Sequence, residues 1–431
     1  MNFIKKYYIS INSLLIISLM FVMTFLSYVS IKGIPLYIFF MSFIYIKLLI
    51  NNEIQFKITK IEMELYIYIV GFIIFLLIQY FIYQKFSILL SMAGFIAGLG
   101  LIFLLRNALN NIRDILFVIE IYIIFQAFIG IIAIIQAFTG SLYPPIFNIN
   151  FHINLTLLNG VWHWHRPQGV DGMIYSFAKN YIFPVIFLFI SLKYEFYKYN
   201  KFLTKQKIIF LLLFFIFIII LSQTRSTQLS IFTMFLGYVF YKYQLYKPKF
   251  IILGLSIISI IILFIITHLN LFIDKSTETR FILWLAGYKM FLTHPLIGVG
   301  MGEFGDIYEK IKNTIHIQWI GNDYYRNIYS PHNLFVGLLS ETGIIGTFII
   351  LTAFYKILKY LKNYEFDDIK FKIVALSVFY YFIAFLIDFQ FHNYWNDNYY
   401  WFWIGIGVSI IWIDQKMKNQ LINFINSENK N

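Results

Sequence analysis

The chain of 431 residues contains no cysteine, and charged residues account for only 13% of it. The lack of cysteine excludes disulfides, thiolate catalysis and cysteine-ligated metals. Hydrophobic residues make up 60% of the sequence, and the mean hydropathy is +0.73. A soluble core cannot bury that much apolar surface, so the composition predicts an all-α, polytopic integral membrane protein.

Apolar runs that are long enough to cross about 30 Å of hydrocarbon recur along the whole sequence. They predict a single membrane domain, 1–431, with about twelve transmembrane helices. The predicted spans are 9–31, 34–50, 64–83, 86–105, 114–138, 174–192, 207–222, 226–242, 249–272, 333–355, 371–390 and 399–414. Two long outer loops, 139–173 and 273–332, separate them and are predicted to be folded, because they are rich in Trp, His, Gly and Pro.

Basic residues indicate the orientation of these spans. With the N-terminus in the cytoplasm, the cytoplasmic segments hold 23 Lys and Arg residues and the outer segments hold 10. This asymmetry predicts twelve spans with both termini cytoplasmic. The net charge of +13 is therefore interpreted as a topology signal and not as a nucleic-acid-binding surface. The first apolar run is interpreted as a span and not as a cleavable signal peptide.

Arginine is scarce, since only six of the 34 basic residues are arginine. Two of them, Arg106 and Arg113, fall on the cytoplasmic side and are interpreted as ordinary topology determinants. The other four are all predicted to be external: Arg166, Arg225, Arg280 and Arg326. Arginine offers a planar fork that grips phosphate bidentately, so these four are candidate phosphate ligands. The alternative for a loop arginine, favoured most for Arg326, is pairing with lipid headgroups.

The second outer loop contains a predicted short helix, 280–293, that is too short and polar to span and is expected to lie in the outer interface. Arg280, Trp284 and Gly287 share one of its faces. His294 and Pro295 end the helix. Three glycines follow within five residues, which predicts a tight turn where the backbone approaches another segment closely.

The order of these motifs resembles the bacterial O-antigen polymerase and O-antigen ligase superfamily. The resemblance is carried by Arg280–Trp284–Gly287, HPLIGVGMGEF and HNLFVGLLSETGIIG, with SQTRSTQLS and RPQGVDGMIYSFAKNY upstream. It is clear over about 165–350, whereas the first five spans match only in topology. The spacing of His332–Asn333, nine residues, Gly343, two residues and Gly346 is the most specific part.

This resemblance implies a glycosyltransferase in the bacterial inner membrane with its active site facing the periplasm. It implies a glycan on undecaprenyl pyrophosphate as the donor and no metal cofactor. The acceptor is a second lipid-linked repeat unit in a polymerase, which we favour for a chain of this size and aromatic content, or lipid A–core in a ligase. Protein O-oligosaccharyltransferase activity is a further alternative. Membrane lipids and a chain-length regulator are the other implied partners.

The residues suggest a mechanism that fits the same chemistry. Breaking a sugar–pyrophosphate bond calls for cations aimed at the leaving group, and Arg225 and Arg280, with Arg166, are predicted to supply them. No DxD pair is present in the outer loops to hold Mg²⁺. His332 is the predicted general base for the acceptor hydroxyl, and an in-line attack would invert the anomeric centre.

Several side chains receive secondary roles. Asn333 is predicted to orient His332 or to contact a sugar, and Trp284 and Arg326 are further predicted substrate contacts. Lys179, inside the sixth span, is either an extra phosphate ligand or a lysine that snorkels to the interface. Glu341 lies roughly 13 Å from His332 along a helix, which predicts a structural role.

Two other function classes compete with a transferase. A transporter of lipid-linked sugars would favour midplane charges and internal repeats, but no repeat is visible and the polar groups gather at one predicted face. A non-catalytic scaffold would not need one histidine and several arginines placed together externally.

Overall fold

The structure is a computed structural model. It describes residues 10–25, 30–31, 34–56, 58–139, 155–157, 160–162, 174–242, 275–315, 330–390 and 398–428. This part of the chain is almost entirely helical, with two short antiparallel hairpins. Strands β1 (Ser30–Ile31) and β2 (Ile34–Pro35) form one hairpin, and β3 (Leu155–Leu157) and β4 (Gly160–Trp162) form the other.

Fourteen α-helices lie within the described residues. They are α1 Ile11–Phe25, α2 Leu36–Ile50, α3 Lys60–Tyr83, α4 Phe86–Ala108, α5 Ile112–Thr139, α6 Ile174–Lys179, α7 Ile182–Lys193, α8 Lys205–Leu221, α9 Arg225–Lys242, α10 Lys275–Thr293, α11 Phe304–Ile311, α12 Leu334–Asn363, α13 Ile369–Asp388 and α14 Asn398–Glu428. Short 3-10 turns occupy Phe196–Lys198 and Lys312–Thr314.

Local sequence explains where several of these helices begin. The Thr59 side chain accepts from the backbone N–H of Glu62, and the Glu62 carboxylate accepts from the backbone N–H of Thr59, so α3 starts with a complete capping box. Thr204 caps α8 and Asp368 caps α13 in the same manner, through one side-chain acceptor each.

The predicted spans that fall on described residues coincide with helices, but the number of spans is not established. Five helices in the described part are long and apolar enough to cross a membrane. They lie at Glu62–Tyr83, Phe86–Ala108, Ile112–Phe138, Leu334–Asn363 and Ile369–Asp388, and Ile11–Met23 and Leu36–Ile50 are shorter apolar helices. The predicted ninth span, 249–272, lies outside the described residues, so a total of twelve stays a prediction.

The predicted sixth span, 174–192, differs from a single helix. The chain forms α6 and α7 with a break at residues 180 and 181. Tyr181 is fully buried, and its hydroxyl donates to the backbone carbonyl of Gln126 on α5. Tyr122 of α5 in turn donates to the carbonyl of Asn180, at 2.9 Å. The second bond satisfies a backbone carbonyl at the break, and the first anchors Tyr181 on α5, so packing against α5 stabilises the break.

Aromatic side chains fill the centre of the helix bundle. Trp403 of α14 is buried and stacks on Phe183 of α7. Tyr122 of α5 and Tyr381 of α13 meet the same indole edge-on, with ring centroids 5.1 and 6.2 Å away. One tryptophan therefore joins four helices, and such aromatic pairs add to the stability that burial gives.

Arg106 corrects one sequence-based interpretation, because it is fully buried and is not a simple surface determinant of topology. Its Nε lies 2.7 Å from the Glu62 carboxylate, and its guanidinium stacks 4.9 Å from the ring of Trp412. A further guanidinium nitrogen donates to the backbone carbonyl of Gln55. Arg106 thus joins α3, α4 and α14 through a buried ion pair, which is costly to break by removing one partner.

The long helix α12 is bent at Gly343, where φ is +61° and ψ is −165°. This break removes helical hydrogen bonds, and the loop 295–303, which contains the predicted glycine turn, replaces them. The replacement bonds run from Val299 N to Ser340 O (2.9 Å), Gly300 N to Glu341 O (3.0 Å), Ile344 N to Pro295 O (2.9 Å) and Ile345 N to Leu296 O (3.1 Å). We call this contact the kink junction.

Side chains from α3 complete the kink junction. The Gln79 amide donates to the carbonyl oxygens of Ile297 (2.5 Å) and Glu341 (2.8 Å), and the Tyr83 hydroxyl donates to Gly298 O at 2.6 Å. The buried Glu341 carboxylate accepts from the backbone N–H of Phe304, the first residue of α11. Glu341 therefore stabilises the N-terminus of α11, which agrees with the structural role predicted for it.

Helices α10 and α11 share a small apolar core of their own. It contains Ile282, Leu283, Ala286 and Met290 from α10, with Phe304 and Tyr308 from α11. The predicted helix 280–293 is confirmed and is longer than predicted, since α10 begins at Lys275. The described part of the predicted loop 273–332 is therefore folded against α12 and not an extended connection.

The kink junction predicts a strong effect of adding one methyl group at Gly343. A Cβ there would lie 2.4 Å from the carbonyl carbon of Leu296, and the φ and ψ values are essentially restricted to glycine. We expect Gly343→Ala to destabilise the protein by at least about 2 kcal/mol, measured as a lower Tm in detergent. Gly71→Ala is the matched control, because that helical glycine has open space around it. Equal Tm values for the two variants would contradict the junction.

Candidate functional site

Three helix ends meet at one end of the bundle. The backbone N–H of Leu334, which begins α12, donates to the carbonyl of Phe389 just after α13, at 2.8 Å. Near the start of α9, the Thr227 hydroxyl donates to the buried carboxylate of Asp388, at 3.3 Å. We call this region, where α12 and α9 begin and α13 ends, the polar end.

His332 lies at the polar end, two residues before α12, in a left-handed conformation with φ +47°. Such a conformation is uncommon for a residue other than glycine, and backbone strain of this kind clusters at functional sites. The imidazole is half-buried. The structure therefore places the predicted base in a constrained turn and not on a loose loop.

Asn333 caps helix α12. Its side-chain oxygen accepts from the backbone N–H groups of Phe335 and Val336, at 2.9 and 3.1 Å. Its side-chain nitrogen donates to the backbone carbonyl of Gln390 at 3.1 Å. Both ends of the amide are thus used to fix α12 against the end of α13. The predicted contact between Asn333 and a sugar stays a prediction.

Arg280 lies close enough to His332 to affect its protonation. Burial lowers the pKa of His332 below its ordinary value of 6.5, and the positive charge of Arg280 lowers it further. His332 is consequently neutral near pH 7, which is the protonation state that a general base needs. The sequence predicted both residues, and the structure brings them together across 52 positions of chain.

Gly287 explains how α10 reaches this position. A Cβ on Gly287 would lie 2.3 Å from Cγ1 of Val336 in the first turn of α12, so the glycine lets α10 approach the Val336 side chain closely. Arg280 and Gly287 are two turns apart and share a face of α10. The same face therefore presents Gly287 to α12 and Arg280 to the segment around His332, as the predicted Arg280–Trp284–Gly287 pattern requires.

Trp284 lies between them on α10 and is half-buried. Its indole nitrogen is shielded from solvent, yet it has no hydrogen-bond partner among the residues that the structure describes. The indole packs edge-on against Phe281, with ring centroids 5.6 Å apart. A buried donor without an acceptor is unfavourable.

Arg225 begins α9 at the polar end, and Lys179 ends a helix that packs on α9. Arg225 is the first residue of α9, two positions before Thr227, and its side chain is exposed. Lys179 is the last residue of α6, which packs on α9, and its side chain is buried. Both residues therefore belong to elements that meet at or beside the polar end. Arg166 and Arg326 lie outside the described residues, and their predicted roles stay predictions.

The structure gives Asp388 a central place at the polar end that local sequence patterns do not reveal. It ends α13, is buried, and contacts Thr227 of α9. Its position at the end of an apolar run is the only sequence signal that could have pointed to this acidic residue. Its proximity to α9 depends on tertiary packing across 161 positions.

Metal ligation has no support from the described part of the chain, where no group of three or more His, Cys, Asp or Glu side chains is close enough to hold an ion. The charged groups at the polar end that come from described residues are mainly cationic, with the Asp388 carboxylate as the acidic exception. Such an arrangement is suited to binding an anionic phosphate or pyrophosphate group.

The Arg280–His332 pair predicts a specific change in titration. Removing the positive charge in Arg280→Gln should raise the pKa of His332, whereas Arg280→Lys should leave it close to that of the unchanged protein. NMR of histidine-labelled protein, with His332→Gln used to assign the resonance, measures both values. An unchanged His332 pKa in Arg280→Gln would show that the two side chains do not interact.

Comparison with known proteins matches the region that contains this site. Residues 210–351 match the family model described as O-antigen ligase. This match includes α8, α9, α10, α11 and the first part of α12, and therefore Arg225, Arg280 and His332. It falls within the stretch, about 165–350, over which the sequence resemblance is clear.

Two curated proteins are also similar to the chain. One from Rickettsia felis, named "Putative polysaccharide ligase", is 24% identical over 41% of this chain and 43% of its own length. A protein of corresponding name from Rickettsia conorii is 25% identical over 32% of this chain and 31% of its own length. The chain thus matches less than half the length of either relative. These matches, chiefly that of residues 210–351, show similarity to the O-antigen ligase family over the part of the chain that contains the polar end.

Proposed function

We propose that this protein transfers a glycan from undecaprenyl pyrophosphate to a sugar hydroxyl, at a site built on the polar end. The observation that carries the proposal is the placement of Arg280 beside His332, next to the helix that begins with Arg225. A neutral imidazole and guanidinium groups at one site match the two requirements of the reaction, a base for the acceptor and cations for the leaving group.

The reaction needs one bond to form while another breaks. The acceptor hydroxyl oxygen attacks the anomeric carbon of the donor sugar, and its proton passes to the neutral His332. The bond between the anomeric carbon and the pyrophosphate oxygen breaks, and the pyrophosphate leaves with the electron pair. Attack from the opposite face inverts the anomeric centre. His332 then releases its proton to water, which restores the base.

The cations act on the leaving pyrophosphate. Arg225 and Arg280 bind its oxygen atoms and stabilise the negative charge that develops as the bond breaks, without a metal ion. Arg166, Arg326 and Lys179 are further ligands for the phosphates in this proposal. The Trp284 indole N–H and the Asn333 segment contact the sugars.

Asp388 acts as a positioning residue in this proposal. Its buried carboxylate accepts from Thr227, two residues after Arg225, so it fixes the first turn of α9 against the end of α13. The position of the Arg225 backbone therefore depends on Asp388, even though no direct contact with substrate is assigned to that carboxylate.

For the acceptor we propose a second lipid-linked repeat unit, which makes the protein a polymerase of O-antigen or a related polysaccharide. A ligase that transfers glycan to lipid A–core is the second candidate, since the printed descriptions of the matched family and of both relatives name ligases. In either case the polar end faces the periplasm, the membrane is the bacterial inner membrane, and both termini are cytoplasmic.

An assay with purified full-length protein distinguishes the two acceptors. Lipid-linked repeat units are supplied alone and together with lipid A–core, and products are separated by size. Chain growth without core supports the polymerase, whereas transfer that requires core supports the ligase. If protein shown to be folded transfers the donor glycan to neither acceptor, the proposed function is contradicted.

Substitutions at the polar end test the mechanism in the same assay. We expect His332→Ala and Arg225→Ala each to lower the transfer rate by on the order of 10²-fold, with Arg225→Lys retaining more activity than Arg225→Ala. Arg113→Ala is the control, because Arg113 is an exposed arginine in the first turn of α5. Full activity of His332→Ala would rule out His332 as the base.

A further inference from the structure

A cavity lies between helices α7, α9 and α13, near the end of α12, away from the polar end. Its volume is about 460 Å³. Tyr238, which lines it, is 13 residues beyond Arg225 on α9, or roughly 20 Å along the helix. Lys193, which also lines it, is the last residue of α7. The cavity is therefore separate from the proposed transfer site.

The inner wall of this cavity is apolar. Ile190 of α7 and Met234 of α9 are buried there, and Phe189, Leu376, Phe379 and Ile383 complete the wall. Such a surface favours a hydrocarbon chain over water. A volume of this size lies within the range of about 300–1,000 Å³ that is typical of small-molecule sites.

The rim of the cavity is basic. Lys193 and Lys362 line it, together with the side chains of Tyr194 and Tyr238, and no carboxylate belongs to the lining that the described residues provide. The Lys193 ammonium lies 4.6 Å from the ring centre of Tyr238 and 5.2 Å from that of Tyr194. These cation–π contacts hold Lys193 at the rim. Lys372 adds a third positive charge, 5.7 Å from the Tyr194 ring.

We propose that this cavity binds an anionic phospholipid, with the phosphate at Lys193 and Lys362 and the upper part of an acyl chain against the apolar wall. Basic pockets between transmembrane helices are recognised sites for anionic headgroups. A soluble phosphate would use the rim but leave the apolar wall without a partner, so the combination of both surfaces favours a lipid. The predicted topology places the cavity in the cytoplasmic leaflet.

Binding at this cavity has a structural consequence. The lipid would contact α9 and α13, the two helices that carry Arg225 and Asp388 at their other ends. A ligand that binds only the folded state stabilises it, by an amount that grows with the logarithm of the free ligand concentration above its Kd. Anionic lipid is therefore expected to raise the Tm of the purified protein, whether or not the protein transfers glycan.

Native mass spectrometry of the full-length protein in detergent tests the proposal. Phosphatidylglycerol, phosphatidylcholine and soluble glycerol phosphate are added separately at equal concentration, and bound adducts are counted. We expect one retained phosphatidylglycerol, and a loss of affinity of at least about tenfold in the double variant Lys193→Gln, Lys362→Gln. The double variant Lys205→Gln, Lys370→Gln is the matched control, because it removes two lysines in the first turns of α8 and α13 that do not line the cavity.

Each result of the lipid-binding experiment has a distinct meaning. Phosphatidylglycerol binding that survives in the cavity variant, or falls equally in the control, would overturn the assignment. Equal retention of phosphatidylcholine would show a site for hydrocarbon without headgroup recognition. Equal retention of glycerol phosphate, added alone at the same concentration, would show a site for a soluble anion and not for a lipid. None of these readouts depends on transferase activity, so they are independent of the proposed function.

Discussion

The architecture of the candidate site depends on the kink junction, where the backbone of loop 295–303 replaces the hydrogen bonds that α12 loses at Gly343. An unpaired backbone group inside a membrane protein is costly, so the break persists only because the loop and Gln79 satisfy the freed groups. This requirement fixes the end of α10 on α12. Because α10 also packs closely on α12 at Gly287 and Val336, Arg280 lies near enough to His332 to lower its pKa.

The kink junction also explains why one stretch of sequence contains both residues of the proposed site and residues that only hold the fold. In HNLFVGLLSETGIIG, the histidine precedes the helix and stays half-buried, whereas the asparagine caps the helix. Glu341 is committed to the N-terminus of α11, and Gly343 permits the bend. Helix α12 therefore begins at the proposed site. Its second and third turns contain the contacts that hold the site in place.

Sequence reasoning predicted the helical class, the position of most helices and the residues that meet at the polar end. It predicted that the glycines after Pro295 permit a close backbone approach, but not to which segment. It missed the buried pairing of Arg106, because Glu62 lies 44 positions earlier, and it missed the break at Tyr181. The contact between Asp388 and Thr227 was likewise not predicted. Each of these features depends on which helices pack together, and a single sequence does not encode that in local patterns.

The proposed transfer site requires that α10 packs on α12. The chain has no native cysteine, so the pair Gly287→Cys and Val336→Cys can be introduced without competing thiols, at positions close enough for a disulfide. The most direct measurement is glycan transfer by this variant before and after oxidation. We expect that the disulfide forms and that the oxidised protein is as active as the reduced protein. Failure to form the bond, or activity that returns only when the bond is reduced, would contradict it.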